Sequence, residues 1–392
     1  EDALRAGVQQ TVETRINSGE RKGAFSIWTL RHSSHSDSIW LTSYVLKCFG
    51  KAKHLISIDD KYVYEGLEFL ARMQEPSGKW PEYGRIAYYN LQTDSSEGIP
   101  LTAFTLIAFL ENQPYVEKFK ENIDKSLAYI DEHAPSLTDN YALAIATYAL
   151  ALGKHKSGPM TLETLKDNAI KEGDSMMYWE KNMLQNKNTG NTVEGTKIEI
   201  AAYAILAHVQ LGKSEEALPI VNWLVSRRNS GGGFSSTHDS VIALQALAEI
   251  ATKLYSDQLD MNIKLDFDKP PKVEFHFDQT SGIKPKVKQI HPMVRYVSVK
   301  ANGKGIASLQ VAYNFKRNIK MDLENSFNLD VTVNPNVGVN ILHLTVCAKF
   351  VPTDDTKQTG MAIVEVNFPS GYVVDPDFDI LRMSNIKVTC LS

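Results

Sequence analysis

His238-Asp239 is a pair whose side chains could exchange a proton. Adjacent residues on a helix face different directions, and no nucleophile stands beside them, so the pair is expected as a polar cluster where a helix begins. The run Ser33-Ser34-His35-Ser36-Asp37-Ser38 offers serine, histidine and aspartate together. Nucleophilic triads are assembled in space rather than along the chain, and this run reads as a polar loop ending in a helix cap ahead of Ile39. Neither Asp59-Asp60 nor Asp354-Asp355 continues into an Asp-Asp-x-x-Asp metal–diphosphate motif, and Glu194 and Glu199 stand near helix starts without further catalytic groups. The three cysteines show no Cys-x-x-Cys pair and no zinc spacing. Cys48 sits in the apolar run Tyr44-Val45-Leu46-Lys47-Cys48-Phe49 and is expected as a buried, inert thiol. Cys347, in a strand-like segment, is a candidate disulfide partner for Cys390, a bond that requires an oxidising compartment. No metal and no cofactor is implied.

The elements that would position these groups change character near residue 256. Before it, helical periodicity dominates and one pattern recurs: a Gly-x-aromatic turn, a polar stretch, then a helix of small and apolar residues. Gly23-Ala24-Phe25 leads to Trp40-Leu41-Thr42-Ser43-Tyr44, Gly78-Lys79-Trp80 to Leu101-Thr102-Ala103-Phe104, and Gly233-Phe234 to Ala243-Leu244-Gln245. Copies without the glycine turn lie at 141–150 and 200–206. These helices alternate with amphipathic ones at 62–73, 123–130 and 217–225, which suits an inner and an outer ring, an α/α toroid. About ten helices of a six-pair ring are expected, with an opening pair missing upstream of Glu1. After Lys253 the period becomes two, with strand-like runs at 263–267, 273–277, 296–299, 308–313, 327–333, 341–350 and 361–368 punctuated by Pro270-Pro271, Asn302-Gly303 and Asn334-Pro335. The chain has 392 residues, 43% of them hydrophobic, enough for several cores. A net charge of −4 argues against binding to nucleic acid, and no apolar run is long enough to span a membrane.

Four segments, in order, resemble the α2-macroglobulin/complement superfamily. Gly232-Gly233-Phe234-Ser235-Ser236-Thr237-His238-Asp239 looks like the start of the last helix of its thioester domain, with His238 where the family usually has glutamine. Trp40-Leu41-Thr42-Ser43-Tyr44-Val45-Leu46-Lys47 is similar to another of its helices. Gly303-Lys304-Gly305 through Leu309-Gln310-Val311 resembles the closing half of a CUB domain. Met361 to Val366 and Pro369-Ser370-Gly371-Tyr372 resemble the receptor-binding macroglobulin domain, with a lean toward insect thioester-containing proteins. The resemblance implies a toroid over 1–255, a CUB-like half over 256–322 and a partial, weakly stable β-sandwich over 323–392.

It also implies chemistry. Family members form a thioester between the Cys and Gln of Gly-Cys-Gly-Glu-Gln and, once cleaved by a protease, acylate a hydroxyl or amine on a pathogen or protease. This chain contains no such motif, so the thioester is expected upstream of Glu1. Spacing from Gly78 places Tyr88, followed by Tyr89, where complement carries its nucleophilic His. A phenol with a pKa near 10 is a poor nucleophile at neutral pH, which implies direct reaction with amines. Phe25 and Met361 align with apolar residues that shield the thioester from water. The expectation is therefore a non-enzymatic, extracellular immune factor in a haemolymph-like fluid, partnered by pathogen surfaces or proteases and by other domains of its parent. The alternatives are a scaffold protein without a reactive thioester and an α/α-toroid enzyme, such as a terpene cyclase, glycosidase or prenyltransferase subunit.

Overall fold

The computed structural model describes residues 2–26, 37–81, 83, 96, 98–173, 175–180, 193–229, 232–254, 259–270, 272–280, 286–305, 307, 309, 311, 327–334 and 343–351. The chain divides into two compact units, Glu1–Asn314 and Phe315–Ser392.

The first unit holds ten α-helices among the described residues: α1 (Asp2–Glu13), α2 (Ile39–Ala52), α3 (Asp60–Met73), α4 (Ile99–Glu111), α5 (Lys120–His133), α6 (Asn140–Leu152), α7 (Gly158–Asp167), α8 (Val193–Gln210), α9 (Leu218–Ser226) and α10 (Thr237–Leu254). Their starts are chemically marked. The Ser38 hydroxyl accepts from the Leu41 N–H, so the cap expected ahead of Ile39 is present. Asp139 caps α6, and α4 starts on Gly98 at φ 73° followed by Pro100.

Burial sorts the helices into two kinds. Residues 99–110 of α4 and 140–151 of α6 are buried on every side, whereas α3 and α5 bury one face only. A helix that is apolar all round needs neighbours all round. Accordingly α2 packs on α4, α4 on α6, α6 on α8 and α8 on α10, while α3, α5, α7 and α9 lie against the members of that series. A short hairpin, β1 (Ile170–Glu172) and β2 (Met176–Tyr178), precedes α8 and packs on α9.

The recurring Gly-x-aromatic turn has a physical job. Phe25, Trp80 and Phe234 are buried, and the backbone N–H of each donates to a hydroxyl of the helix that follows: Thr42 Oγ1 at 3.0 Å, Thr102 Oγ1 at 3.2 Å and Ser240 Oγ at 2.9 Å. The glycine lets the turn press on a neighbouring helix. A Cβ on Gly23 would lie 2.0 Å from the Glu65 carbonyl oxygen, and one on Gly78 would lie 2.2 Å from that of Lys125. Both glycines hold φ at 95°. One of the copies lacking glycine keeps the anchor: Trp179, ahead of α8, donates its indole N–H to the Leu165 carbonyl as Trp80 does to that of Leu70.

Among the described residues, the first unit also holds a three-stranded antiparallel sheet in the order β4 (Val273–Asp278), β3 (Asp260–Phe267), β5 (Val297–Lys304). Met261, Ile263, Leu265 and Val273 form its own small core. In the second unit, β6 (Phe327–Asn334) pairs antiparallel with β7 (His343–Phe350). Register places Phe327, Leu329, Val331 and Val333 opposite Phe350, Ala348, Val346 and Leu344, an apolar face on which all four β6 side chains are exposed.

Candidate functional site

The first unit contains a column of ionisable groups inside its helical array. Glu199 and Tyr203 of α8 are fully buried, as is Tyr141 of α6. Glu199 stands in the apolar run Ile198-Glu199-Ile200-Ala201, so the helix carries its carboxylate into the interior with its apolar neighbours. Its Oε1 lies 3.6 Å from Nδ1 of His238, at the start of α10. Among the described residues, neither Glu199 oxygen accepts a hydrogen bond. Burial pushes this carboxyl above its ordinary value, against the pull of His238 and Lys47.

The His238 ring lies against three aromatic rings. Tyr44 stacks on it with centroids 5.7 Å apart, and Trp40 and Phe104 tilt toward it at 6.5 and 6.3 Å. Asp239 has a separate role, as expected for a polar cluster at a helix start. Its carboxylate accepts from the Ser236 N–H at 2.8 and 3.0 Å, and its own N–H donates to Ser236 Oγ at 3.3 Å, a reciprocal cap.

A second polar group ties the far ends of these helices. Buried Glu111 of α4 accepts from Tyr148 of α6 at 3.1 Å and from Gln245 of α10 at 2.9 Å, and Lys51 of α2 lies 3.6 Å away. Lys51 also pairs with Glu249 of α10 at 3.0 Å. At the edge of the array Glu65 is held by Arg15 and by Lys22 at 2.9 Å. Burial alone would raise its carboxyl, but the two cations hold it below the ordinary value.

Of the residues singled out from sequence, Phe25 is fully buried, edge-on to Phe49 at 5.8 Å. Tyr88, Tyr89, Met361 and Cys390 lie outside the described residues. Cys347 is exposed on β7. The expectation of a buried Cys48 is corrected: its side chain is exposed, because position 48 falls outside the buried positions of α2 (42, 43, 45–47, 49, 50). Nearby groups still exclude enough water to push the thiol up, so it stays protonated at neutral pH. Sequence reasoning missed the Glu199–His238 contact. Its signal was a lone carboxylate inside an apolar helix.

Residues 1–250 match the family of A-macroglobulin TED domains. The chain is 31% identical over 375 residues to thioester-containing protein 1 allele R1 of Anopheles gambiae, covering 95% of this chain and 26% of that protein. It is 28% identical over 384 residues to complement C3 of Oncorhynchus mykiss, covering 92% of this chain and 22% of that one. Ophiophagus venom factor of Ophiophagus hannah is 28% identical over 376 residues, 90% of this chain and 22% of its own. The chain thus spans about a quarter of the length of these relatives.

Proposed function

Because the chain belongs to the TED domain family of the α2-macroglobulins, we propose that it is part of a secreted innate-immune thioester protein that marks pathogens or traps proteases covalently. The observation that carries this reading is the match over residues 1–250, a stretch the structure builds from alternating helices keyed by Gly-x-aromatic turns. In this proposal the helices form an incomplete α/α toroid over 1–255, followed by a CUB-like half over 256–322 and a macroglobulin β-sandwich over 323–392. Cys347 and Cys390 are proposed to pair in the oxidising extracellular space.

The chain has no Gly-Cys-Gly-Glu-Gln motif, so the covalent step belongs to a longer protein. There a target amine would attack the thioester carbonyl. The new C–N bond would form as the C–S bond breaks, and the thiolate would accept the proton lost from nitrogen. Tyr88 at the position of complement's His supports amine preference, and Phe25 and Met361 are proposed to keep water from the bond.

Labelling of the full-length protein with isotopic methylamine tests the proposal. Incorporation at a glutamine together with release of one thiol is expected. A full-length protein that takes up no label favours a non-covalent scaffold of the same family.

A further inference from the structure

Helix α8 buries polar groups that nothing on the neighbouring helices satisfies. Among the described residues, both oxygens of Glu199 are enclosed without a hydrogen bond, and the His238 ring nitrogen at 3.6 Å is too far to give one. The hydroxyl of Tyr203, one turn further along the same face of α8, is buried without an acceptor. So is the hydroxyl of Tyr141 on α6, whose ring stands edge-on to that of Tyr203 with centroids 6.2 Å apart. Buried phenols ordinarily find a partner. We propose that Glu199, Tyr203 and Tyr141 form a binding site for internal water, which accepts from the phenols and donates to the carboxyl.

The orphaned atoms select the ligand. A phenol hydroxyl needs an acceptor, and a carboxyl keeps at least one accepting oxygen whether ionised or protonated, so it needs a donor. A molecule that meets both needs must accept and donate at once. A metal ion or an ammonium group cannot accept from a phenol, and the Lys47 ammonium, 5.0 Å from the centre of the Phe104 ring, already brings positive charge to bear on Glu199. An anion would be repelled by the carboxylate. An organic ligand would have to part the helices, because α6 is buried at every position from Asn140 to Ala151. Water, at about 30 Å³, enters through local opening.

The water ties α6 to α8 through polar groups that do not reach one another. Internal water of this kind makes about three hydrogen bonds and is costly to remove. This inference does not depend on the thioester reading.

A high-resolution crystal structure of the intact chain tests it. A solvent peak within about 3.2 Å of a Glu199 oxygen and of the Tyr203 or Tyr141 hydroxyl is expected. Direct contact between Glu199 and either phenol, a dry interior, or a peak with the bond lengths of a metal ion would overturn the proposal. Oxygen-17 relaxation dispersion counts long-lived water independently in solution. Replacing all three groups, by Glu199→Leu, Tyr203→Phe and Tyr141→Phe, makes the site apolar, and small apolar cavities stay dry. The triple variant should lose at least one long-lived water relative to the wild-type chain; an unchanged count refutes the site. Should that variant not fold, the crystal structure of the wild-type chain decides alone.

Discussion

Thr42 and Thr102 each hold the backbone N–H of a buried aromatic residue. Replacing Thr102 by valine keeps its shape and orphans the Trp80 N–H, at a cost of about 1–3 kcal/mol in urea denaturation. The Trp-Leu-Thr and Leu-Thr strings were visible in sequence, but not what their hydroxyls accept, because the donors lie 17 and 22 residues earlier in the chain. The Glu199–His238 contact was hidden for the same reason: two side chains 39 positions apart are brought together only by the packing of α8 on α10. At Cys48, exposure and a raised thiol act in opposite directions on reactivity. Iodoacetamide should therefore modify it slowly at neutral pH, with a rate still climbing above pH 9. Fast labelling at pH 7 would contradict that account.

At the level of elements, the two kinds of helix were legible because a stretch such as Ile99 to Leu110 has no polar face at all, whereas α3 and α5 have one. The turn glycines were legible as punctuation, but their necessity comes from contact with a neighbouring helix. Gly78→Ala brings a Cβ within 2.2 Å of the Lys125 carbonyl oxygen at a left-handed φ, so backbone must move. A loss of about 2–3 kcal/mol is expected by chemical denaturation, well beyond what an ordinary Gly→Ala change costs. The anchor ahead of α8 escaped the pattern because Trp179 follows a β-hairpin instead of a glycine turn. The strand runs of β3, β4, β6 and β7 were legible from strict alternation. Their partners were not, since β3 pairs with both β4 and the distant β5.

For the molecule as a whole, two buried carboxylates act in opposite senses. The Glu65 carboxyl is depressed, so its contribution is present above the ordinary value of 4.5 and is lost as pH falls through the folded value. The Glu199 carboxyl is raised, and its contribution is lost as pH rises. Thermal unfolding of the chain should therefore show a stability maximum with falls on both sides. Glu65→Gln should remove most of the acid limb, at a loss of about 3–5 kcal/mol near neutrality because Arg15 is left buried beside an uncharged partner. A melting temperature that rises steadily from pH 4 to 9 would exclude this balance.

The contact between Lys51 and Glu249 joins residues 198 positions apart. Every other step of the series joins a helix to one that arrives soon after it, so α2, α4, α6 and α8 can assemble in order as the polypeptide emerges from the ribosome. Helix α10 packs on α8 in the same way, but its side-chain contacts with α2 also reach a helix made at the beginning, and bringing distant residues together is the slow, entropically penalised part of folding. Refolding should accordingly be limited by the docking of α10, with the tyrosines and tryptophans of the earlier helices burying first and the Trp40 environment last.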